Sequence, residues 1–410
     1  MSEPSPSVPR KPGRKEFIAL VAMMSALVAL SVDTMLPGLP QMAQDLTPND
    51  PNRAQLVVTS FVLGMGLGTL VTGPLSDSFG RKSVLLWGSV IYVASALACA
   101  YAQSMEALLI ARLVQGLGAA GPRVVALALV RDRYAGRGMA RIVSFVMIVF
   151  TTVPAIAPSL GALAVAYSSW RLIFWIFIVF AVVLSLWTVI RLPETLSPEH
   201  RRPFKARSLR AAVLEMLMHP TCRLSILVQG LGFGCLFATI STVQPIYDLT
   251  FDRAHEFHLW FGAIAVLAAS ASFLNAALVM RLGMIRLVSA MLLAQVVMSA
   301  VMIALLLFGV SGNTLFGLFM LWQLSLFFQA GLTIGNLNAI AMEPMGHIAG
   351  MAASVIGSLA TIIAVILAVP IGLAFDGTPM PLAIGVFVLC ALSLILMRRM
   401  RDLQDENSTL

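Results

Sequence analysis

Two ionisable residues stand where charge is costly. Asp33, in Val32-Asp33-Thr34-Met35-Leu36-Pro37-Gly38-Leu39-Pro40, and Arg112, in Ala111-Arg112-Leu113-Val114-Gln115-Gly116, each interrupt an apolar run long enough to cross a bilayer. A charge at membrane depth marks function by default, because it must meet water or a partner. Burial and a nearby guanidinium pull a carboxylate's proton affinity in opposite directions, so a carboxylate held between them can bind and release a proton. Counted from the outer helix ends, Asp33 lies ~6 Å deep and Arg112 ~9 Å deep at 1.5 Å per residue. Those depths allow a pair. The plainer alternative is an Asp33 that caps a helix end or reaches to the outer surface.

A second cluster is the loop Gly73-Pro74-Leu75-Ser76-Asp77-Ser78-Phe79-Gly80-Arg81-Lys82-Ser83. It sets one acid among bases, in a turn that needs glycine. Asp77 can pair with Arg81 or with bases near Arg131 and Asp132, forming a latch that holds in one conformation and opens in another. A solvated turn is the alternative reading of the same residues. Gly116, Gly118 and Gly121 show the G-x-G-x-x-G spacing. A dinucleotide site needs that spacing after a strand, at the start of an accessible helix. Here it lies behind Arg112 inside an apolar run, where small residues let helices approach closely.

Several polar residues lie too deep to face lipid. They include Gln329, Asn336 and Asn338; Met35, Gln115 and, near the outer end of their run, Gln244 and Tyr247 are further cavity candidates. Asn336 and Asn338 are two apart, so only one of them can point inward. Arg123 sets a substrate preference or reaches to the inner surface. Pro154, Pro158 and Gly161 would kink a helix and permit close packing.

The elements that position these residues follow from composition. Of 410 residues, 59% are hydrophobic and only 11% charged, too little charge for a water-soluble surface. Apolar runs of about 20 residues span a bilayer. They fall near 17–37, 54–75, 84–102, 106–130, 141–166, 171–190, 223–246, 256–280, 286–309, 313–341, 350–375 and 380–397. Threading twelve spans places 22 basic residues on one side and three on the other, which orients both termini to the cytoplasm. The net charge of +8 is therefore topological and does not point to nucleic acid. The expected organisation is an arm (1–16), a six-helix bundle (17–191), a basic linker (192–222), a second bundle (223–397) and a tail (398–410).

Trp87, Trp170, Trp175 and Trp260 lie near span ends, as interface anchors do. Cys99, Cys222, Cys235 and Cys390 lie singly and suit apolar packing. No metal-ligand cluster, phosphate-binding lysine motif or serine elbow is present, so no enzyme and no cofactor is expected.

The loop at 73–83 resembles the signature G-x-L-a-D-r-x-G-R-K/R of the major facilitator superfamily, with Ser78 in place of the usual arginine. Arg112-Leu113-Val114-Gln115-Gly116-Leu117-Gly118 resembles that family's R-x-x-Q-G-x-G. Pro154–Gly161 sits where its proton-coupled antiporters carry a Gly/Pro-rich motif, although G-P-x-x-G-G is not reproduced. Met35–Pro40, Val130-Arg131-Asp132, Ser144–Met147, Arg201–Phe204 and Asn338-Ala339 with Pro344, His347 and Ala352–Ser354 resemble the bicyclomycin and chloramphenicol exporter branch. The resemblance implies an all-α membrane protein of twelve transmembrane helices in two pseudo-symmetric six-helix bundles. Spans one, four, seven and ten would line its cavity. It further implies a monomer in the inner membrane that exports drug-like molecules in exchange for protons, with the proton gradient as energy source. Transport of one physiological metabolite is the nearest alternative, and a non-transporting scaffold or receptor the remote one.

Overall fold

The structure, a computed structural model, describes residues 12–201 and 203–408. Arg10 and Lys11 of the N-terminal arm and Arg202 of the linker, three of the 22 basic residues counted on one side, lie outside the described residues, with most of the arm.

In lipid the backbone must satisfy its own hydrogen bonds. The chain does so with helices alone: no strand occurs among the described residues. In the first half these are α1 (Arg14–Asp33), the short α2 (Leu39–Leu46), α3 (Leu56–Phe79), α4 (Arg81–Ala100), α5 (Met105–Arg133), α6 (Gly136–Tyr167) and α7 (Arg171–Arg191). A short α8 (Ala206–Met218) lies in the connection. The second half has α9 (Pro220–Pro245), α10 (Phe257–Ala269), α11 (Ala271–Leu282), α12 (Met284–Leu307), α13 (Gly312–Met342), α14 (Ala349–Leu373) and α15 (Met380–Ser408). Gly312–Leu373 forms a helical stretch of 62 residues, which at 1.5 Å each is far too long for one crossing. It is two crossings, α13 and α14, joined by the 3-10 segment Glu343–Ile348.

Three boundaries differ from the sequence expectation. The first span ends at Asp33 instead of 37, because Pro37 and Pro40 lack the N–H that would extend it. The chain turns through Leu36–Gly38 into α2. The eighth span is broken at Ser270 into α10 and α11. The connection 192–222 contains α8, whose Ala212 and Met216 are buried. Met216 packs with Cys222 and Ile226 of α9 and with Ala352 and Val355 of α14.

The two halves carry matching hinges. Gly80 alone separates α3 from α4, at φ 97° and ψ 151°. Gly283 alone separates α11 from α12, at φ 77° and ψ 158°. Side chains other than hydrogen are essentially excluded from that conformation. These loops occupy corresponding places in the halves and share one backbone conformation.

Small residues set the packing. A Cβ on Gly64 would strike the Leu113 carbonyl, and one on Gly116 the Phe61 carbonyl, which brings α3 and α5 together. A Cβ on Gly118 would lie 2.6 Å from the Tyr92 nitrogen of α4. The largest contacts between the halves are α3 with α14 and α6 with α10. In the second, a Cβ on Gly262 would come within 2.6 Å of the Ala155 carbonyl oxygen. Before α3, Asn52 donates to the carbonyls of Leu373 and Phe375, at 3.1 and 2.7 Å.

Trp87, Trp175 and Trp260 are exposed on the helical surface, as anchors should be. Trp170 is not an anchor. It is fully buried, and its Nε1 donates to Asp45 at 2.8 Å beneath α2.

Candidate functional site

Arg112 projects from α5 towards α1 and α3 and is wholly buried. Its Nε donates to the Val57 carbonyl at 3.1 Å, Nη1 to Gln115 Oε1 at 2.8 Å, and Nη2 to the Ser31 carbonyl at 3.0 Å. The Phe61 ring lies 4.4 Å from the guanidinium carbon. Three oxygens and an aromatic face thus surround the cation without any carboxylate. Ser31 extends the network: its hydroxyl donates to the Leu27 carbonyl and shares a 2.6 Å bond with the Tyr92 hydroxyl.

Asp33 is 5% exposed and is the only buried carboxylate among the described residues. It makes no hydrogen bond or ion pair there. The depths of Asp33 and Arg112 match, but their azimuths do not. Two residues along a helix amount to about 200° of rotation, so with Ser31 turned to Tyr92 of α4, Asp33 is turned the opposite way. Gly161 of α6 lies against the next carbonyl, that of Thr34, where a Cβ would collide. Pro154 and Pro158 precede it within the continuous α6.

The other cavity candidates divide. Met35 is buried at the turn after α1, and Gln115 is committed to Arg112, with its Nε2 unpartnered. Gln244 is buried with Oε1 unpartnered. Tyr247 is enclosed in the second half by Phe257, Phe316 and Phe319, and donates to Gln323 at 3.1 Å, so its ring and hydroxyl serve packing. Gln329 bonds Thr333 and lines a cleft of about 300 Å³ between α12 and α13 instead of facing the first half. Asn336 donates to Asn275 of α11 at 2.7 Å, whereas Asn338 is only partly buried. Arg123, also on α5, is partly buried with Nη1 sealed from water and unpartnered.

The loop residues do come together. Arg81, 5% exposed at its side chain, pairs with Asp77 at 2.6 Å and with Asp132 at 3.1 Å. It also donates to Ser76 at 2.6 Å, and Lys82 donates to the Val189 carbonyl at 2.8 Å. Gly73 faces the other half, where a Cβ would lie 2.7 Å from Ser354 Oγ of α14. Arg131 crosses as well, its Nη1 being 3.5 Å from where a Gly350 Cβ would sit. Sequence reasoning missed Glu194, which accepts from the amides of Arg81 and Lys82 at 2.9 and 3.1 Å and so caps α4. It also missed Thr195, which donates to Asp132 at 3.1 Å. Neither residue carries a local signal, since their partners are remote in sequence.

The profile described as Major Facilitator Superfamily matches residues 21–369. The chain belongs to the major facilitator superfamily. As a member it is a transporter and not an enzyme. The arginine–aspartate loop and the Arg112 segment both lie inside the matched stretch. The chain is 28% identical over 351 residues to the bicyclomycin resistance protein homolog of Haemophilus influenzae, covering 84% of this chain and 85% of that one. It is 29% identical over 380 residues to the multidrug resistance protein MdtL of Klebsiella pneumoniae, covering 91% and 93%. An uncharacterized MFS-type transporter of Bacillus subtilis, YdgK, is 28% identical over 92% of this chain and 94% of its own length. Among solved structures, a D-xylose–proton symporter superimposes with TM-score 0.75 at 12% identity, covering 93% of this chain and 97% of that one. That likeness is one of fold.

Proposed function

We propose that this major facilitator is a proton-coupled antiporter that exports drug-like small molecules across the inner membrane by alternating access. The observation that carries the reading is Asp33, a buried carboxylate without a protein partner. A neutral carboxyl group is tolerated among packed helices, whereas an ionised one needs water or a cation. Protonation would let the outer end of α1 pack against α6, and separation of the helices would admit water and release the proton. Arg112 would keep a fixed positive charge on the backbone of α1, bonded to the Ser31 carbonyl. The contacts of α3 with α14 and of α6 with α10, with the two matched glycine hinges, supply surfaces for the halves to rock against each other. The drug-resistance names of two relatives support a drug-like cargo. The basic residues support cytoplasmic termini. One chain contains both halves, so a monomer suffices.

The test is drug-driven proton movement in proteoliposomes loaded with a pH-sensitive dye. Bicyclomycin should dissipate an imposed pH gradient in liposomes that hold the protein and not in empty ones. Bicyclomycin flux that leaves the gradient untouched would sink the coupling. A gradient that responds to a single metabolite and to no drug would favour the metabolite transporter instead.

A further inference from the structure

Two arginines lie within α5, and the structure treats them differently. Eleven residues separate Arg112 from Arg123, about three turns plus 20°, so both leave the same face of the helix, ~16 Å apart along it. All three donor groups of Arg112 are taken by Val57, Gln115 and Ser31. Arg123 has no hydrogen bond or ion pair among the described residues, and its Nη1 is sealed in protein without a partner. It lies ten residues, ~15 Å, from the end of α5 at Arg133. The sealed Nη1 is inconsistent with a side chain stretched out to the inner surface. The remainder of the side chain stays partly exposed, so the guanidinium borders open space. Its neighbours on this face are the small Ala119 and Ala126, one turn away on either side.

An arginine with no internal anion, beside small apolar side chains, lacks one partner: a negatively charged group on an apolar body. We infer that Arg123 is the anion-recognising residue of the transport pathway, and that the preferred cargo is an amphiphilic organic molecule bearing a carboxylate or similar acidic group. The inference rests on the export reading only in taking α5 to line the pathway. It requires no proton coupling. Arg112, each of whose nitrogens already has an oxygen partner, holds helices and does not read the cargo. The planar fork of Arg123 can take a carboxylate through two parallel hydrogen bonds.

The test uses binding, which needs neither a gradient nor turnover, so failure of proton coupling leaves its outcome intact. Purified protein in phosphatidylcholine nanodiscs is titrated with dansylglycine and with its neutral counterpart dansylglycinamide, read by fluorescence anisotropy. The acid should bind about tenfold tighter than the amide, as expected for one charge-assisted hydrogen-bonded contact. Arg123→Gln should reduce that preference to about twofold or less, with the affinity for the amide unchanged as the control for folding. Arg123→Lys should keep part of it. Equal affinities in the parent, no binding of the acid, or a preference that survives Arg123→Gln would overturn the inference. A preference present in phosphatidylcholine but abolished by phosphatidylglycerol would assign the guanidinium to lipid headgroups, and would overturn it equally.

Discussion

Arg112 Nη2 donates to the carbonyl of Ser31, two residues before Asp33, at 3.0 Å. The fixed charge of the first half is thus fastened to the backbone of the helix that carries the titratable group, and not to the group itself. Asp33 can then change protonation without dismantling the arginine's bonds.

Removing Arg112 should be structural first. Arg112→Ala leaves the Val57 and Ser31 carbonyls and Gln115 without their donor in a buried site. A cost of about 3 kcal/mol or more is expected. Thermal unfolding in detergent should show a clear loss of stability. Arg112→Lys should recover little of it, since an ammonium cannot span the same three oxygens.

Gly161 should tolerate no side chain. Gly161→Ala drives a methyl group into the Thr34 carbonyl and moves α6 off the outer end of α1. Overpacking of this kind costs about 1–3 kcal/mol. Gly317 of α13 has open space around it, so Gly317→Ala should be neutral or stabilise by up to about 1 kcal/mol. Unfolding midpoints of the two variants, measured side by side, check the contrast.

The contact of α3 with α14 should depend on the space at Gly73. Gly73→Ala would place its methyl 2.7 Å from Ser354 Oγ and push the halves apart there. Transport of bicyclomycin in proteoliposomes should fall. Adding Ser354→Ala, which removes that oxygen, should restore part of the rate. Strictly additive single effects would show that the two positions do not meet.

Glu194 should matter through α4. Glu194→Ala removes the acceptor for the amides of Arg81 and Lys82, a helix-cap loss of about 1 kcal/mol. The Arg81 side chain, held by Asp77, Asp132 and Ser76, keeps its own bonds. A lowered unfolding midpoint with retained binding of dansylglycine is the expected pattern.

How much of this was legible in the sequence follows from what each signal measures. Hydropathy reports depth, so the spans and the matching depths of Asp33 and Arg112 could be read. It does not report rotation about a helix axis. The azimuth of Asp33 became visible only when the contact of Ser31 with Tyr92 fixed the phase of α1. The glycines at 116 and 118 were read as packing residues, and they touch α3 and α4. The break at Ser270 was invisible because both sides of it are equally apolar. Trp170 resembled an anchor by position alone, and its burial depends on Asp45 and α2 folding back over it. Tyr247 and Gln329 are polar cavity candidates in sequence, but only the packed helices could tell the inside of one bundle from the space between two.

The central claim is that Asp33 carries the proton. The most direct measurement compares Asp33→Asn with the parent in proteoliposomes, following bicyclomycin in two modes. Counterflow without a gradient should persist in Asp33→Asn, because the asparagine is nearly isosteric and permanently neutral. Accumulation driven by a pH gradient should be lost, together with drug-induced proton movement. An Asp33→Asn protein that accumulates bicyclomycin and moves protons as the parent does would contradict the account.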